Sequence, residues 1–185
     1  VNYDGTAAFR YQYDSHGDEV SHSDLLNGVE FFFKYDGLGR NVLMTTDHGQ
    51  RLKVGYDDKN RVTRFVSEVD GSSIVTEYVY GDLNNGQMPD YPYGVKLDGN
   101  QILSYAYDSL GRMTSRTVDL GTDYQTAYGF LDNTDGTTTT LVDEVTESVD
   151  GASHVWSYTY DERGNITEIH LDSELLYRYS YDNLD

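Results

Sequence analysis

The sequence predicts an all-β fold, a repetitive meander of antiparallel β-hairpins that curls. Its composition favours strands and tight turns, because 18 tyrosines and 18 glycines stand beside 2 prolines in 185 residues. Aromatic residues recur in pairs two positions apart, which places both members on one face of a strand. A turn phrase returns at intervals of 21–30 residues, and a long meander of twisted strands must curl.

The turn phrase is clearest as KYDGLGR at residues 34–40 and as AYDSLGR at residues 106–112. Weaker copies read QYDSHGD at 12–18, GYDDKNR at 55–61 and TYDERGN at 159–165. A fixed period of this length indicates a repeat architecture. Aligned on the second aromatic residue, about eight copies are recognised, at Tyr13, Tyr35, Tyr56, Tyr80, Tyr107, Phe130, Tyr160 and Tyr181.

The strand that enters each turn is indicated by its aromatic pair. Residues two apart share one face of a strand, whereas on a helix they do not face each other. Seven copies carry such a pair, namely Tyr11 with Tyr13, Phe33 with Tyr35, Tyr78 with Tyr80, Tyr105 with Tyr107, Tyr128 with Phe130, Tyr158 with Tyr160 and Tyr179 with Tyr181. We therefore expect one face to bury aromatic and aliphatic side chains and the other to be polar and acidic.

The turn itself is indicated by an aspartate followed three residues later by a glycine, as in Asp36 and Gly39. The aspartate carboxylate can accept backbone N–H bonds two residues on, and the glycine suits a left-handed position that closes a hairpin with a bulge. In one copy Asn60 replaces the glycine, and asparagine tolerates positive φ. This replacement favours a backbone constraint over a chemical role.

A second set of turns alternates with the first and completes the hairpins. The expected positions are Asp47-His48-Gly49, Asp70-Gly71, Asp98-Gly99, Asp135-Gly136 and Asp150-Gly151. The runs between the turns predict strands at 66–69, 74–80, 143–149, 155–160 and 177–181. Two stretches interrupt the pattern: residues 81–94 hold both prolines and predict a loop, and the threonine run within 129–145 fits either loop or strand.

Charge and composition exclude several classes of function. The net charge of −19 disfavours nucleic acid and anionic membrane surfaces, because both need clustered cations. The chain has no cysteine and no apolar run long enough for a membrane span. Both ends fall as if cut, so we expect a single repeat region, 1–185, that is a fragment of a larger protein.

The pattern Y-x-Y-D-x-x-G-R followed by a hydrophobic residue resembles the YD repeat of the RHS family. The closest copies are FKYDGLGRNV at 33–42 and YAYDSLGRMT at 105–114, with looser ones at 54–63 and 158–167. The family includes bacterial Rhs-type polymorphic toxins, the C components of insecticidal toxin complexes, and teneurins. The resemblance implies a spiral sheet that forms part of a hollow YD-repeat shell, which in toxin members encloses a C-terminal effector. The self-cleaving segment of those toxin members has no match in this chain.

The repeated residues are predicted to be structural, with no catalytic residue, cofactor or metal. They are Tyr13, Asp14, Gly17, Tyr35, Asp36, Gly39, Arg40, Tyr56, Asp57, Asn60, Arg61, Tyr107, Asp108, Gly111, Arg112, Tyr160, Asp161, Gly164, Tyr181 and Asp182. The arginines are expected to pair with neighbouring acids or carbonyls and to pack over tyrosines. The arginine is replaced at Asp18 and Asn165, so its role is not essential in every repeat.

Two functions are consistent with these observations. The first is a scaffold: a shell segment of a large secreted or cell-surface RHS-repeat protein that encloses or displays another domain, with the rest of its parent chain and an effector as partners. The alternative is a carbohydrate-binding or cell-surface adhesion module, in which exposed aromatic residues stack on sugars and Trp156 is the first residue to test. A hydrolase with paired carboxylates has no motif to support it.

Overall fold

The computed structural model describes residues 2–3 and 6–182, and these residues form β-strands with a single short 3₁₀ turn. The chain divides into two compact units. The first comprises Val1–Val79 with Lys96–Asn100, and the second comprises Tyr80–Val95 with Gln101–Asp185. Within each unit the hydrogen-bonded order of the strands is their order in the sequence, and neighbouring strands are antiparallel. The prediction of an all-β hairpin meander is therefore confirmed.

The first unit begins with a two-residue ladder between β1 (Asn2–Tyr3) and β2 (Thr6–Ala7). The meander follows. Its strands are β3 (Phe9–Tyr13), β4 (Glu19–Asp24), β5 (Val29–Tyr35), β6 (Asn41–Thr46), β7 (Arg51–Tyr56), β8 (Val62–Val69) and β9 (Ser72–Tyr80).

The 3₁₀ turn Leu83–Asn85 lies within a loop between β9 and β10, as the sequence predicted for this stretch. The loop is shorter than expected, because β10 already begins at Pro92. The strands from here on are β10 (Pro92–Leu97), β11 (Asn100–Tyr107), β12 (Met113–Asp119), β13 (Asp123–Asp132), β14 (Thr138–Val149), β15 (Ala152–Tyr160), β16 (Ile166–Leu171) and β17 (Glu174–Arg178).

Five hairpins of the predicted type share one register. In each, the repeat tyrosine lies opposite the residue six positions later, and the register shifts at the tyrosine. The pairs are Tyr13 with Glu19, Tyr35 with Asn41, Tyr56 with Val62, Tyr107 with Met113 and Tyr160 with Ile166. The predicted bulge therefore lies where strand meets turn.

Positive φ occurs at the fourth turn position, as expected. The φ angles are 90° at Gly17, 77° at Gly39, 84° at Gly111, 84° at Gly164 and 65° at Asn60. An L side chain with a Cβ atom is strained in this region, and asparagine is among the least affected. The substitution of asparagine for glycine in one copy therefore follows from the backbone.

The copy at Phe130 differs from the sequence alignment in the position of its turn. Phe130 lies opposite Val142, but the hairpin continues to Asp132 opposite Thr138. The glycine of the closing turn is Gly136, with φ of 80°. Its N–H bonds the carbonyl of Asn133 at 3.0 Å, so Asn133 holds the place of the usual aspartate. Asp135-Gly136 is thus part of the first kind of turn, and assigning it to the second kind was wrong.

The other four Asp-Gly signals lie between strands as predicted. At three of them both residues have positive φ, which is the backbone of a tight two-residue hairpin. The φ angles are 49° and 79° at Asp70-Gly71, 47° and 83° at Asp98-Gly99, and 48° and 84° at Asp150-Gly151. The strand runs at 66–69, 74–80, 143–149 and 155–160 are all strand in the structure, whereas the run 177–181 stops at Arg178.

Burial is shallower than the sequence predicted. Within the part of the chain whose side chains are described, the residues with more than nine-tenths of their surface buried are Ala8, Ser21, Thr46, Gly94 and Thr126. The repeat aromatics are half-buried or exposed, because in a meander each strand contacts chiefly the strands beside it. The face opposite the aromatics is polar but not purely acidic: it carries cross-strand ion pairs such as Lys53 with Glu68 and Arg64 with Glu77.

Candidate functional site

The candidate site is a set of five-residue turns, called here the YD turns, at residues 14–18, 36–40, 57–61, 108–112 and 161–165. In the second of them, Oδ1 of Asp36 accepts the N–H groups of Leu38 at 2.9 Å and of Arg40 at 3.1 Å. Oδ2 of Asp36 accepts Nε of Arg40 at 2.7 Å and lies 2.6 Å from Nη2. One carboxylate therefore closes the backbone turn and holds the arginine.

The same arrangement recurs with and without arginine. Asp57 with Arg61 and Asp108 with Arg112 repeat both bonds of the Nε and Nη2 fork. In the last YD turn the Asn165 amide donates to Oδ2 of Asp161 at 3.1 Å, in the place of the guanidinium. In the first turn no arginine is present, and Nδ1 of His16 lies 3.8 Å from Oδ2 of Asp14.

These bonds hold the turn carboxylates in the ionised form. The Arg40 side chain lowers the pKa of Asp36, with backbone N–H bonds adding to the effect. The pKa of Asp161 is lowered chiefly by the backbone N–H of Asn165. At Asp57 partial desolvation acts to raise the pKa, but the hydrogen bonds from Arg61 outweigh it and the pKa is lowered. A general acid at neutral pH needs a raised pKa, so the geometry favours a structural role for these aspartates.

The arginine of one YD turn also contacts the next repeat. Nη1 of Arg40 donates to Oδ1 of Asn60 at 2.8 Å and to the carbonyl of Asp57 at 3.4 Å. The guanidinium carbon lies 4.6 Å from the centroid of the Tyr56 ring, a distance typical of cation–π contact. Arg40 therefore joins its own turn to the next turn and to the next repeat tyrosine.

Arg112 makes the corresponding link in the second unit. Its guanidinium carbon lies 4.0 Å from the centroid of the Phe130 ring, and its Nη1 donates to Oγ1 of Thr138 at 2.7 Å. The carbonyl of Thr139 is a further acceptor of Nη1. Phe130 therefore takes the place of the repeat tyrosine under the arginine, although its own turn begins two residues later than usual.

The hydroxyl groups of the repeat tyrosines make a second link, which the sequence analysis missed. Five of these hydroxyls donate to the backbone carbonyl of a residue in the preceding repeat. The bonds are Tyr35 to Glu19 at 2.9 Å, Tyr56 to Asn41 at 2.9 Å, Tyr107 to Pro92 at 2.9 Å, Tyr160 to Val142, and Tyr181 to Ile166 at 2.8 Å. A signal was present in the sequence, because the second aromatic is tyrosine in all copies but that of Phe130.

The turns of the second kind link repeats at the other ends of the strands. Asp98 donates its N–H to the carbonyl of Val75 at 2.8 Å, and its Oδ1 accepts the N–H of the same residue at 2.8 Å. Asp172 makes the same pair of bonds with Val155. The turn at Asp172-Ser173, with φ of 49° and 71°, was not predicted because it contains no glycine.

The remaining predicted residues occupy the ends of the repeat series. Tyr13 is 59% exposed and Tyr181 follows the last strand. Asp182 is described, but the rest of its predicted turn, 183–185, lies outside the described residues. Across residues 2–3 and 6–182, no group of three His, Asp or Glu side chains is placed to hold a metal ion. No helix of the described chain has the length and apolar character of a membrane span.

Comparison with known proteins supports the resemblance found in the sequence. The RHS repeat family model matches residues 142–174, which include the YD turn at 161–165. No curated protein matches the chain.

Two solved structures align with most of the chain, and the first is similar to it in fold. A crystal structure of TcdB2-TccC3-Cdc42 is similar with a TM-score of 0.63 at 16% identity, over 89% of this chain and 9% of that one. A crystal structure of TcdB2-TccC3 covers 88% of this chain and 11% of its own, with a TM-score of 0.48 at 15% identity. The chain thus spans about a tenth of the length of these relatives.

Proposed function

We propose that this chain is a scaffold: a shell segment of a large secreted or cell-surface RHS-repeat protein. The observation that supports it is the direction of the polar contacts. Arg40 and Arg112 each donate to their own turn and to the next repeat, and five of the repeat tyrosines donate to the repeat before. Side chains used in this way hold neighbouring repeats in register, which is the task of a shell wall.

The energetics agree with such a wall. Stability of a repeat protein is approximately the sum of repeat terms and nearest-neighbour terms. Each tyrosine hydroxyl bond contributes about 1 kcal/mol, and each turn carboxylate replaces water at two backbone N–H groups. Repeated along the chain, modest links of this kind stabilise a sheet that buries few side chains completely.

The partners of the scaffold are the remainder of its parent chain and a domain that the parent encloses or displays. The fold shared with TcdB2-TccC3-Cdc42 supports this proposal, since a chain that spans 9% of such a protein is one part of a larger structure. Chemistry by the repeat itself forms no part of the proposal, because the turn aspartates are engaged with backbone and arginine.

Limited proteolysis of the whole parent protein tests the proposal. A domain enclosed by the repeats should resist protease, and the double variant Arg40→Gln, Arg112→Gln should expose it by breaking the links between repeats. The control is Arg64→Gln, Arg178→Gln, which removes two ion pairs between paired strands and leaves the YD turns intact. Equal digestion of the enclosed domain in all three proteins would contradict a shell.

A further inference from the structure

A row of polar side chains crosses the aromatic face of the second unit at one level. Tyr105, Arg116, Thr126, Glu147 and His154 are successive cross-strand partners on β11 to β15. Directly paired residues lie on the same face, and neighbouring strands are about 4.8 Å apart, so the row is roughly 19 Å long. No YD-turn residue belongs to it, so the scaffold role does not explain it.

Arg116 is the unusual member of the row. The other half-buried arginines described above fork onto a carboxylate, whereas no carboxylate lies within ion-pair distance of Arg116 in the described chain. Its Nε is buried without a hydrogen-bond partner, and so is Oγ1 of the neighbouring Thr126, whose surface is 4% exposed. An unpaired, partly desolvated guanidinium is costly, and it is stabilised by an anion, above all by a carboxylate that it binds with two parallel bonds.

Glu147 binds two aromatic side chains, one on each side of the polar row. Its Oε1 accepts the hydroxyl of Tyr124 at 2.9 Å, and its Oε2 accepts Nε1 of Trp156 at 3.2 Å. The Tyr124 ring centroid is 6.0 Å from the guanidinium carbon of Arg116. Each carboxylate oxygen keeps a further lone pair, so Glu147 can accept hydroxyl groups of a ligand next to Arg116.

An apolar groove lies beside the row, on β13 to β16. Its volume is about 230 Å³, and it is lined by Tyr128, Val142, Val145, Tyr158, Tyr160 and Ile166. Val145 is the cross-strand partner of both Tyr128 and Trp156, so the groove adjoins the ring that Glu147 holds. Aromatic faces of this kind pack against the C–H faces of sugar rings while hydroxyl groups bond at the edge.

We propose that this surface binds a saccharide that carries one carboxylate. Arg116 binds the carboxylate, Glu147 accepts ring hydroxyl groups, and Trp156 with Tyr158 packs against the ring faces. A single acid fits better than a polyanion, because the chain has a net charge of −19. An acidic peptide fits less well, since a second acid beside the first would meet Glu147.

The test compares two ligands that differ at one group. The acidic probe is an oligosaccharide with one terminal glucuronic acid, and the neutral probe is the same molecule with that carboxylate reduced to a primary alcohol. Calorimetry gives the dissociation constants. Trp156 is the single tryptophan of the chain, so its emission reports whether binding occurs at this surface. We expect the acidic probe to bind at least tenfold more tightly and to shift the emission.

Protein variants distinguish specific binding by Arg116 from a general effect of removing a positive charge. Arg116→Gln should raise the dissociation constant of the acidic probe at least tenfold and leave that of the neutral probe unchanged. Arg64→Gln, which removes a cation paired with Glu77, should change the dissociation constant of neither probe. Because these comparisons do not involve the YD turns, their failure leaves the scaffold proposal untouched.

Several outcomes would overturn the inference. They are equal binding of the two probes, equal binding by the unaltered chain and Arg116→Gln, binding without a change in Trp156 emission, and tighter binding of a tetraglutamate peptide than of the acidic saccharide. If far-UV circular dichroism shows that Arg116→Gln is unfolded, the inference is judged on the unaltered chain alone, by comparing its dissociation constants for the acidic and neutral saccharides.

Discussion

The fourth position of the YD turn shows how one backbone angle limits a residue. Gly39 and Gly111 have φ of 77° and 84°, but their surroundings differ. A Cβ atom at Gly39 would meet nothing within 4 Å, whereas at Gly111 it would lie 2.6 Å from the Tyr91 hydroxyl. The two sites therefore separate backbone strain from steric clash.

We predict that Gly39→Ala lowers the free energy of unfolding by about 1 kcal/mol through left-handed strain alone. Gly111→Ala should lower the free energy of unfolding by more than Gly39→Ala does, because Tyr91 must move as well. Urea denaturation measures both values. A Gly111→Ala protein as stable as the unaltered chain would show that the turn does not require a left-handed residue.

The turn carboxylates make stability depend on pH. Hydrogen bonds and guanidinium contacts lower the pKa of Asp14, Asp36, Asp57, Asp108 and Asp161 in the folded state. A lowered folded pKa gives stability that is present above the unfolded value of about 4 and is lost as pH falls through the folded value. The folded chain should therefore lose stability as the pH is lowered from about 5 to 3.

Asp36→Asn should reduce the loss of stability at acid pH, because asparagine takes up no proton. Asp58→Asn, at the next position of a neighbouring YD turn, is the control and should leave that loss as it is. Urea midpoints at several pH values between 3 and 7 provide the measurement. If the two variants have identical pH profiles, the bonds to Asp36 do not contribute to the pH dependence.

At the scale of the strand and hairpin, the tyrosine hydroxyls set the register between repeats. Tyr56→Phe removes the bond to the carbonyl of Asn41 and should cost about 1 kcal/mol. Tyr13→Phe is the matched control, because Tyr13 is 59% exposed and should tolerate loss of its hydroxyl. Thermal unfolding compares the pair, and equal stabilities would mean that the hydroxyl bond contributes nothing beyond what water supplies.

The elements that the sequence predicted well are local. Alternation two residues apart and an aspartate three residues before a glycine act within a few residues, so strands and turns follow from the sequence directly. The links between repeats were harder to predict, because Arg40 and Asn60 are 20 residues apart and Tyr56 and Asn41 are 15 apart. Asn60 shows the difference: its φ was predicted from its type, but its role as acceptor for Arg40 was not.

The polar row on the aromatic face was beyond sequence reasoning for the same reason. Arg116 and Glu147 are 31 residues apart in the sequence and lie in strands that carry no repeat phrase. Their positions follow from the cross-strand register, and the register follows from the turn lengths of two hairpins. Trp156 was singled out by the sequence as an aromatic, and the structure adds its bond to Glu147.

At the scale of the whole molecule, charge opposes folding. The chain has 32 acidic residues against 13 basic ones, and a compact chain brings them together. Salt screens this repulsion and also weakens the ion pairs, but an exposed pair contributes about 0–1 kcal/mol, whereas the repulsion acts on the whole acidic excess. We predict that the free energy of unfolding rises when sodium chloride is raised from about 0.01 to 0.15 M, where the Debye length falls from about 30 to 8 Å.

Urea unfolding at fixed pH across this salt range checks the prediction. Sorbitol at matched osmolality is the control for solvent effects that do not involve charge. A stability that falls with salt would mean that the turn ion pairs outweigh the net repulsion.

The links of the YD turns run from each repeat to the one beside it, which has a consequence for the way a cell makes the protein. A ribosome delivers the chain from its N-terminal end, so the strand that a new hairpin needs has already been made. A repeat of about 25 residues emerges in roughly 1–5 s at about 5–20 residues per second. Each hairpin can therefore dock soon after its own synthesis, and the unpaired edge travels with the growing end of the chain.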